Sequence, residues 1–154
     1  MNTPKLDAPD VAFWDNQASS PPYEVVEHTA DWSLRVTGAD WAALLRNAAQ
    51  GMSSLMVGEL SVVPLTEQRT VSLAAFDAET LLVDWLSELA YWAETEMLVF
   101  TEFDLQQVSA TQLQAVVRGG PVPKLLKHIK AVTYHNLEIV RTDAGMEVTI
   151  VFDV

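Results

Sequence analysis

The segment DAETLLVDWLSELAYWA, residues 77–93, predicts a long helix with one face in the core. Its apolar residues recur three and four positions apart, which is the spacing of a single helix face. They are Leu81, Leu82, Trp85, Leu86, Leu89, Trp92 and Ala93. Asp77 stands directly before this pattern, and aspartate is a preferred N-cap residue. We therefore expect a capped amphipathic helix whose two tryptophans belong to the core.

Strand-like segments lie on both sides of this helix, and the arrangement has an earlier counterpart. Residues 69–75 alternate apolar and polar side chains before the helix, and the strand candidate 98–106 follows it. An earlier apolar stripe over residues 41–56 lies between a cap at Asp40 and a stop at Gly58. The sequence thus contains two similar units, each with strands around one capped helix.

Further strand candidates lie close enough in sequence to pair with antiparallel neighbours. They are residues 23–27, 33–37, 112–117, 131–134, 136–141 and 147–152. We expect a chain break at Gly119-Gly120-Pro121 and a short helix over residues 123–128. Strands before and after each helix favour an α+β fold with antiparallel sheets over a doubly wound parallel sheet.

The composition is that of one globular domain preceded by a tail. Of 154 residues, 49% are hydrophobic and 19% are charged, which is typical of a chain that folds. Residues 1–22 hold four of the seven prolines and show no sustained period, so we expect a proline-rich tail there and a domain over residues 23–154. The apolar runs are shorter than a membrane span, and no signal pattern opens the chain. We therefore expect a cytoplasmic protein.

The charge and the lack of cysteine exclude several kinds of site. The net charge is −12, from 21 acidic and 9 basic side chains, which excludes nucleic-acid binding by neutralisation of phosphates over the whole body. Any RNA is then expected to be reached only through a partner protein. Lys124, Lys127 and Lys130 do lie close together, and a solvated helix end explains them equally well. The absence of cysteine excludes disulfides, thiolate zinc sites and cysteine nucleophiles.

Polar residues interrupt the apolar strand sequence at three places. His28 and Asp31 lie at the start of one strand, Lys130 begins another, and Asp153 follows the buried pattern of the last strand. Asp153 and the carboxylate of Val154 offer oxygen ligands, and such ligands favour Ca²⁺, Mg²⁺ or Mn²⁺. From the residues alone two interpretations stay open: a divalent-cation site, or carboxylates that cap strand ends and pair with Lys130. No set of nucleophile, base and orienting group is present.

Four segments taken together resemble the archease family. They are YEVVEHTAD at residues 23–31, LLVDWLSEL at 81–89, IKAVTYH at 129–135 and VFDV at 151–154. They occur in order, and the resemblance spans residues 23–154. It implies a compact α+β fold in which one strand-helix-strand-strand module is nested in another.

The resemblance also implies a function. Archeases are chaperone-like protein cofactors, not enzymes, of the tRNA-splicing RNA ligase (RtcB type), which seals tRNA halves that carry 2′,3′-cyclic phosphate ends. They promote the GTP-dependent guanylylation of this ligase and its multiple turnover. For this chain the resemblance implies a metal site at Asp31, Asp153 and the carboxylate of Val154, with His28 as a further candidate ligand. Ca²⁺ is the first expected ion, and Lys130 is expected to support activity without being catalytic.

Two residues depart from the family pattern, and one other class of function remains. Trp32 stands where a smaller aliphatic residue is common, and Asp84 stands where glutamate is expected. The alternative function is a stand-alone metal-dependent hydrolase or nucleotide-binding module that uses the same carboxylates. The sequence leaves the oligomeric state open.

Overall fold

The computed structural model describes residues 22–27 and 31–154. The predicted tail, apart from Pro22, and the candidate ligand His28 lie outside the described residues. Two helices, eight strands and a 3₁₀ turn at Leu60–Val62 make up the described part. In chain order the helices and strands are β1 (Tyr23–Glu27), β2 (Trp32–Gly38), α1 (Trp41–Val57), β3 (Glu67–Ala74), α2 (Ala78–Glu96), β4 (Leu98–Val108), β5 (Gln112–Pro121), β6 (Ala131–Val132), β7 (Val140–Thr142) and β8 (Gly145–Asp153).

The strands form two antiparallel sheets, and one sheet is built from a segment inserted into the other. The outer sheet has the order β1-β2-β8-β6, with β7 also paired to β8. The inner sheet has the order β3-β5-β4 and, with α2, comes wholly from residues 67–121. The pairing of β2 with β8 closes the outer sheet around this inner module. The predicted α+β class is confirmed, and the topology is the nested one that the resemblance implies.

Both helices begin at the predicted caps. Oδ1 of Asp40 accepts the N–H of Ala43 at 2.9 Å, and Oδ1 of Asp77 accepts the N–H of Thr80 at 2.8 Å. These bonds satisfy donors that the first turn of a helix leaves without a partner. Helix α1 ends at Gly58, whose φ of 81° lies in the region that favours glycine. Neither helix of the described residues is long and apolar enough to cross a membrane.

The two helices and both sheets share one hydrophobic core. Trp85 lies at its centre, fully buried, and its indole N–H donates to the carbonyl of Leu45 in α1 at 2.9 Å. Its ring meets Phe103 of β4 edge-on, with ring centroids 5.8 Å apart. Trp92, the second tryptophan of the predicted stripe, is only half-buried and lies at the core margin beneath the guanidinium of Arg69.

The predicted chain break at Gly119-Gly120-Pro121 is wrong, because β5 continues through both glycines to Pro121. Gly119 pairs with Phe100 of β4, and a Cβ atom at Gly119 would lie 2.0 Å from the carbonyl oxygen of Val99. Glycine is therefore required here by the close approach of the neighbouring strand and not by a turn.

The predicted helix over residues 123–128 is also wrong, because the backbone of this region bonds to other elements. The N–H of Val122 donates to the carbonyl of Met97 at 2.9 Å, and the N–H of Leu126 donates to the carbonyl of Met56 at 2.7 Å. Leu125 and Ile129 are buried and anchor the segment on the core. These tertiary bonds replace the local bonds that a helix would need.

Two strand predictions are too long. Only Ala131–Val132 of residues 131–134 forms a strand. Of residues 136–141 only the last two pair with β8, in the strand Val140–Thr142. Between them the chain turns at His135 and Asn136, and Asn136 has a φ of 50°. The backbone leaves the sheet here, so this polar turn lies beside the outer sheet instead of extending it.

Candidate functional site

The strand register brings the two candidate carboxylates to one end of the outer sheet. Trp32 at the start of β2 pairs with Phe152 near the end of β8. Because the strands are antiparallel, one step further in each chain places Asp31 across from Asp153. On the other side of β8, Ala131 pairs with Asp153, and the N–H of Lys130 donates to the carbonyl of Asp153 at 2.8 Å. Residues more than 120 positions apart in sequence thus become neighbours.

Asp31 and Asp153 belong to the face of the outer sheet that is directed away from the core. Phe152, Ile150 and Val148 of β8 are buried, whereas Thr149 and Asp153 are exposed. Side chains directly across an antiparallel pair share a face, so the register assigns Asp31 to the same face as Asp153. Two carboxylates side by side repel each other in water, and a bound cation would relieve that repulsion.

Asp31 lines an open pocket of about 300 Å³ on this outer face. The other lining residues are Ser33, His135, Asn136, Thr149 and Val151. Ser33 is only 3% exposed, and among the described residues its hydroxyl has no hydrogen-bond partner. The pocket therefore presents a carboxylate, hydroxyls, an amide and an imidazole, which are groups that bind polar ligands or a hydrated cation.

His135 joins this pocket although its place in the sequence gives it the appearance of a simple turn residue. Both the N–H and the hydroxyl of Thr133 donate to the carbonyl of Val151 at 3.0 Å, which folds the turn back against β8. The N–H of His135 in turn lies 3.3 Å from the hydroxyl oxygen of Thr133. The spacing Thr-x-His is the one sequence signal for this fold-back, because threonine accepts such bonds two residues onward.

The backbone of Lys130 is bonded to Asp153, but its side chain lies on the other face of the sheet. It is exposed and lines a groove of about 390 Å³ beside α2, together with Tyr91 and Glu94. Nδ1 of His128 is 3.1 Å from a carboxylate oxygen of Glu94, one of these lining residues. The structure therefore places the candidate lysine on the helix side of the sheet and Asp31 on the opposite side.

Trp32 forms part of the same end of the molecule. Its ring is half-buried, and Nζ of Lys127 lies 4.2 Å from the ring centroid. A cation over the face of tryptophan is attracted by the negative ring face. The tryptophan that departs from the family pattern thus binds the ammonium group of Lys127 and keeps it at this end of the molecule.

The described residues meet only some of the requirements of a cation site. Asp31 and Asp153 supply oxygen atoms on one face, and the carboxylate that follows Val154 would add to them. Within residues 22–27 and 31–154, no three side chains of the histidine, cysteine, aspartate or glutamate type come close enough together to hold a metal ion. The arrangement fits a hard cation that keeps several water ligands better than a fully enclosed zinc-type site.

Comparison with known proteins identifies the family. The sequence model of the Archease protein family (MTH1598/TM1083) matches residues 23–154. The chain belongs to the archease family. The match begins at the first residue of β1 and includes every strand and helix of the fold.

Individual archeases are similar over nearly their whole length. Protein archease of Methanosarcina mazei is 35% identical over 140 residues, which cover 86% of this chain and 95% of that protein. Protein archease of Saccharolobus islandicus strain M.14.25 is 36% identical over 138 residues, which cover 86% of this chain and 98% of that protein. The predicted family is therefore confirmed.

Two solved structures share the fold. The solution structure of Methanobacterium thermoautotrophicum protein 1598 has a TM-score of 0.71 at 27% identity and covers 88% of this chain and 100% of that one. The crystal structure of a Thermotoga maritima archease, described as a possible chaperone, has a TM-score of 0.60 at 22% identity and covers 84% and 94%. The second likeness concerns the fold alone.

Proposed function

We propose that this archease activates a tRNA-splicing RNA ligase of the RtcB type, by promoting its GTP-dependent guanylylation and its multiple turnover. The observation that carries the proposal is the strand register, which makes Asp31 and Asp153 neighbours and bonds the backbone of Lys130 to Asp153. These three are among the residues for which the family resemblance implies a role in activation. One end of the outer sheet is thus the surface offered to the ligase.

Charge supports docking onto a ligase. The net charge of −12 attracts a basic, RNA-binding surface and raises the rate of encounter. The same charge disfavours direct binding of RNA, so RNA is reached only through the ligase. We expect the stimulation to weaken as salt rises, because exposed charges are screened. Such a partnership would operate in the cytoplasm, where GTP and tRNA are present.

A divalent cation, with Ca²⁺ as the first candidate and Mg²⁺ or Mn²⁺ as alternatives, would be held by Asp31, Asp153 and the carboxylate of Val154, with His28 as a further candidate ligand. These carboxylates would hold the ion, and the ion would offer a coordination position to a phosphate oxygen. These side chains would fix the position of the ion at the end of the outer sheet where Asp31 and Asp153 lie. Lys130 would contact the ligase from the helix side of the same sheet end.

The decisive experiment compares single and multiple turnover with a purified ligase and RNA ends that carry a 2′,3′-cyclic phosphate. Activation predicts little change in one sealing event and a large gain over many. Asp31→Ala should abolish that gain, whereas Asp143→Ala, in the hairpin turn at the other end of β8, should keep it. If Asp31→Ala stimulated the ligase as strongly as the wild type does, this end of the outer sheet would have no role in the mechanism.

The role of Lys130 has its own matched control. Lys130→Ala should lose most of the stimulation, while Lys124→Ala, an exposed lysine of the same loop, should retain it. Equal losses would show that the loop acts only through its total charge. Conversion of a phosphate ester by this protein without any ligase would favour the alternative of a stand-alone hydrolase.

A further inference from the structure

Strand β3 forms an open edge of the inner sheet. Among the described residues it pairs only with β5, and helix α2 packs against the sheet. The strand runs over eight residues, Glu67–Ala74, with an unbroken register. The opposite edge strand, β4, carries register shifts between Phe100 and Glu102 and between Leu105 and Gln107. Bulges protect sheet edges from pairing, and β3 has none.

The hydrogen bonds to β5 show which backbone groups face this edge. The N–H of Ala75 donates to the carbonyl of Thr111 at 2.9 Å, which continues the register of β3 with β5. Bonded residues alternate along an antiparallel strand, so the odd-numbered residues of β3 bond to β5. The N–H and C=O groups that point outward therefore belong to Gln68, Thr70, Ser72 and Ala74.

The side chains along this edge are compatible with pairing between two copies of the chain. Gln68, Thr70, Ser72 and Ala74 are exposed and uncharged, on a chain whose net charge is −12. No lysine or proline lies within the strand, although these residues usually guard an edge. Arg69 is already neutralised, because its guanidinium makes two hydrogen bonds to Glu96, at 3.0 and 2.8 Å.

We propose that β3 is the dimerisation edge of this protein, where two copies pair their β3 strands antiparallel about a twofold axis and form one continuous six-stranded sheet. A twofold interface must be self-complementary, and an antiparallel edge pair meets this condition with its own donors and acceptors. In the register centred on Thr70, Gln68 faces Ser72 of the second copy and Glu67 faces its Leu73. No like charges are opposed.

Exposed apolar side chains at the two ends of the strand fit the same arrangement. Phe76, which follows β3, is 86% exposed, and Leu65, which precedes it, is 41% exposed. In an antiparallel pair, the end that carries Phe76 meets the end of the second copy that carries Leu65. Both ends of the interface would then cover apolar surface that is exposed in the single chain.

Proline substitution tests the edge without disturbing the sheet. Because the N–H of Thr70 points outward, Thr70→Pro removes a donor from the edge and leaves the bonds to β5 intact. Thr70→Val is the matched control, since it changes the side chain and keeps the backbone donor. Sedimentation of the full chain from micromolar to millimolar concentration should show a dimer for the wild type and for Thr70→Val. Thr70→Pro should raise the dissociation constant about tenfold or more.

Salt separates this contact from ligase docking. Two copies that each carry −12 repel at long range, so added salt should tighten the dimer, whereas it should weaken a contact with a basic partner. A wild-type chain that stays monomeric throughout, or a dimer that persists in Thr70→Pro, would overturn the proposal. If the wild type is a monomer and Thr70→Pro fails to stimulate the ligase, the β3 edge binds the ligase instead. Wild-type stimulation by Thr70→Pro would leave the proposed function intact.

Discussion

Replacing Asp153 by asparagine should stabilise the protein without metal and destabilise it relative to wild type with metal. The register makes Asp31 and Asp153 neighbours across β2 and β8, and directly opposed Cβ atoms lie about 4.5–5.5 Å apart. Two carboxylates roughly 6 Å apart repel by about 0.7 kcal/mol at the dielectric constant of water. Asp153→Asn removes this repulsion and keeps the size of the side chain.

Metal should reverse the sign of this effect. A ligand at one hundred times its dissociation constant stabilises the folded state by about 2.7 kcal/mol. Asp153→Asn loses one charged ligand and most of that gain, so the wild type becomes the more stable form in excess Ca²⁺.

The assay is thermal unfolding of both forms in chelator and in excess Ca²⁺. Without metal, 0.7 kcal/mol corresponds to a rise in Tm of about 2 °C for the variant, taking about 3 °C per kcal/mol for a domain of this size. Asp143→Asn should show neither effect, since its carboxylate lies in the hairpin turn. A variant that is less stable than wild type in chelator, or equal stabilisation of both forms by Ca²⁺, would refute the reasoning.

Three further predictions concern the fold that supports the site. Trp85→Phe should lower the free energy of unfolding by about 2 kcal/mol, because it removes the hydrogen bond to Leu45 and leaves a cavity; urea unfolding measures this, and a change near zero would contradict the central position of the ring. Gly119→Ala should cost 1–3 kcal/mol or more, because its methyl group would lie 2.0 Å from the carbonyl oxygen of Val99; the same urea titration tests it, and wild-type stability would show that the strands separate easily. The hydroxyl and N–H of Thr80 hold the pKa of Asp77 below its ordinary value, so this cap stabilises the fold at neutral pH and its contribution is lost as the pH falls below about 4. In acid titrations of stability the wild type and Asp77→Asn should therefore converge towards pH 2, and a constant difference would argue against an ionised cap.

Local patterns predicted the helices well, because their determinants are local. Asp40, Gly58 and Asp77 act within a few residues of their own positions, and the apolar stripes need only the helical period. The α+β class followed from the order of these elements along the chain. Pairing partners need more information, since register depends on residues far apart in sequence.

The errors arose where long-range contacts override local propensity. The two glycines of β5 have the appearance of a turn until Val99 is known to pass beside Gly119. Residues 123–128 have helix-compatible side chains, yet Met56 takes the N–H of Leu126. The position of His135 beside Asp31 likewise depends on a turn that folds onto β8. The sequence pointed to Asp31, Asp153 and Lys130 as candidate site residues. Only the strand register shows that the side chain of Lys130 lies on the opposite face of the sheet from the pocket lined by Asp31.

The central place of β8 in the outer sheet has a consequence during synthesis. Residues 145–153 leave the ribosome after every other strand, yet they lie between β2 and β6. The inner module, residues 67–121, has its strands and helix complete before then, while β2 still waits with one side unpaired. A nascent chain stalled before β8 would expose Leu34 and Val36, which are fully buried in the finished fold. Such a chain would be prone to aggregate along β2 and would lack Asp153, the carboxylate that pairs with Asp31.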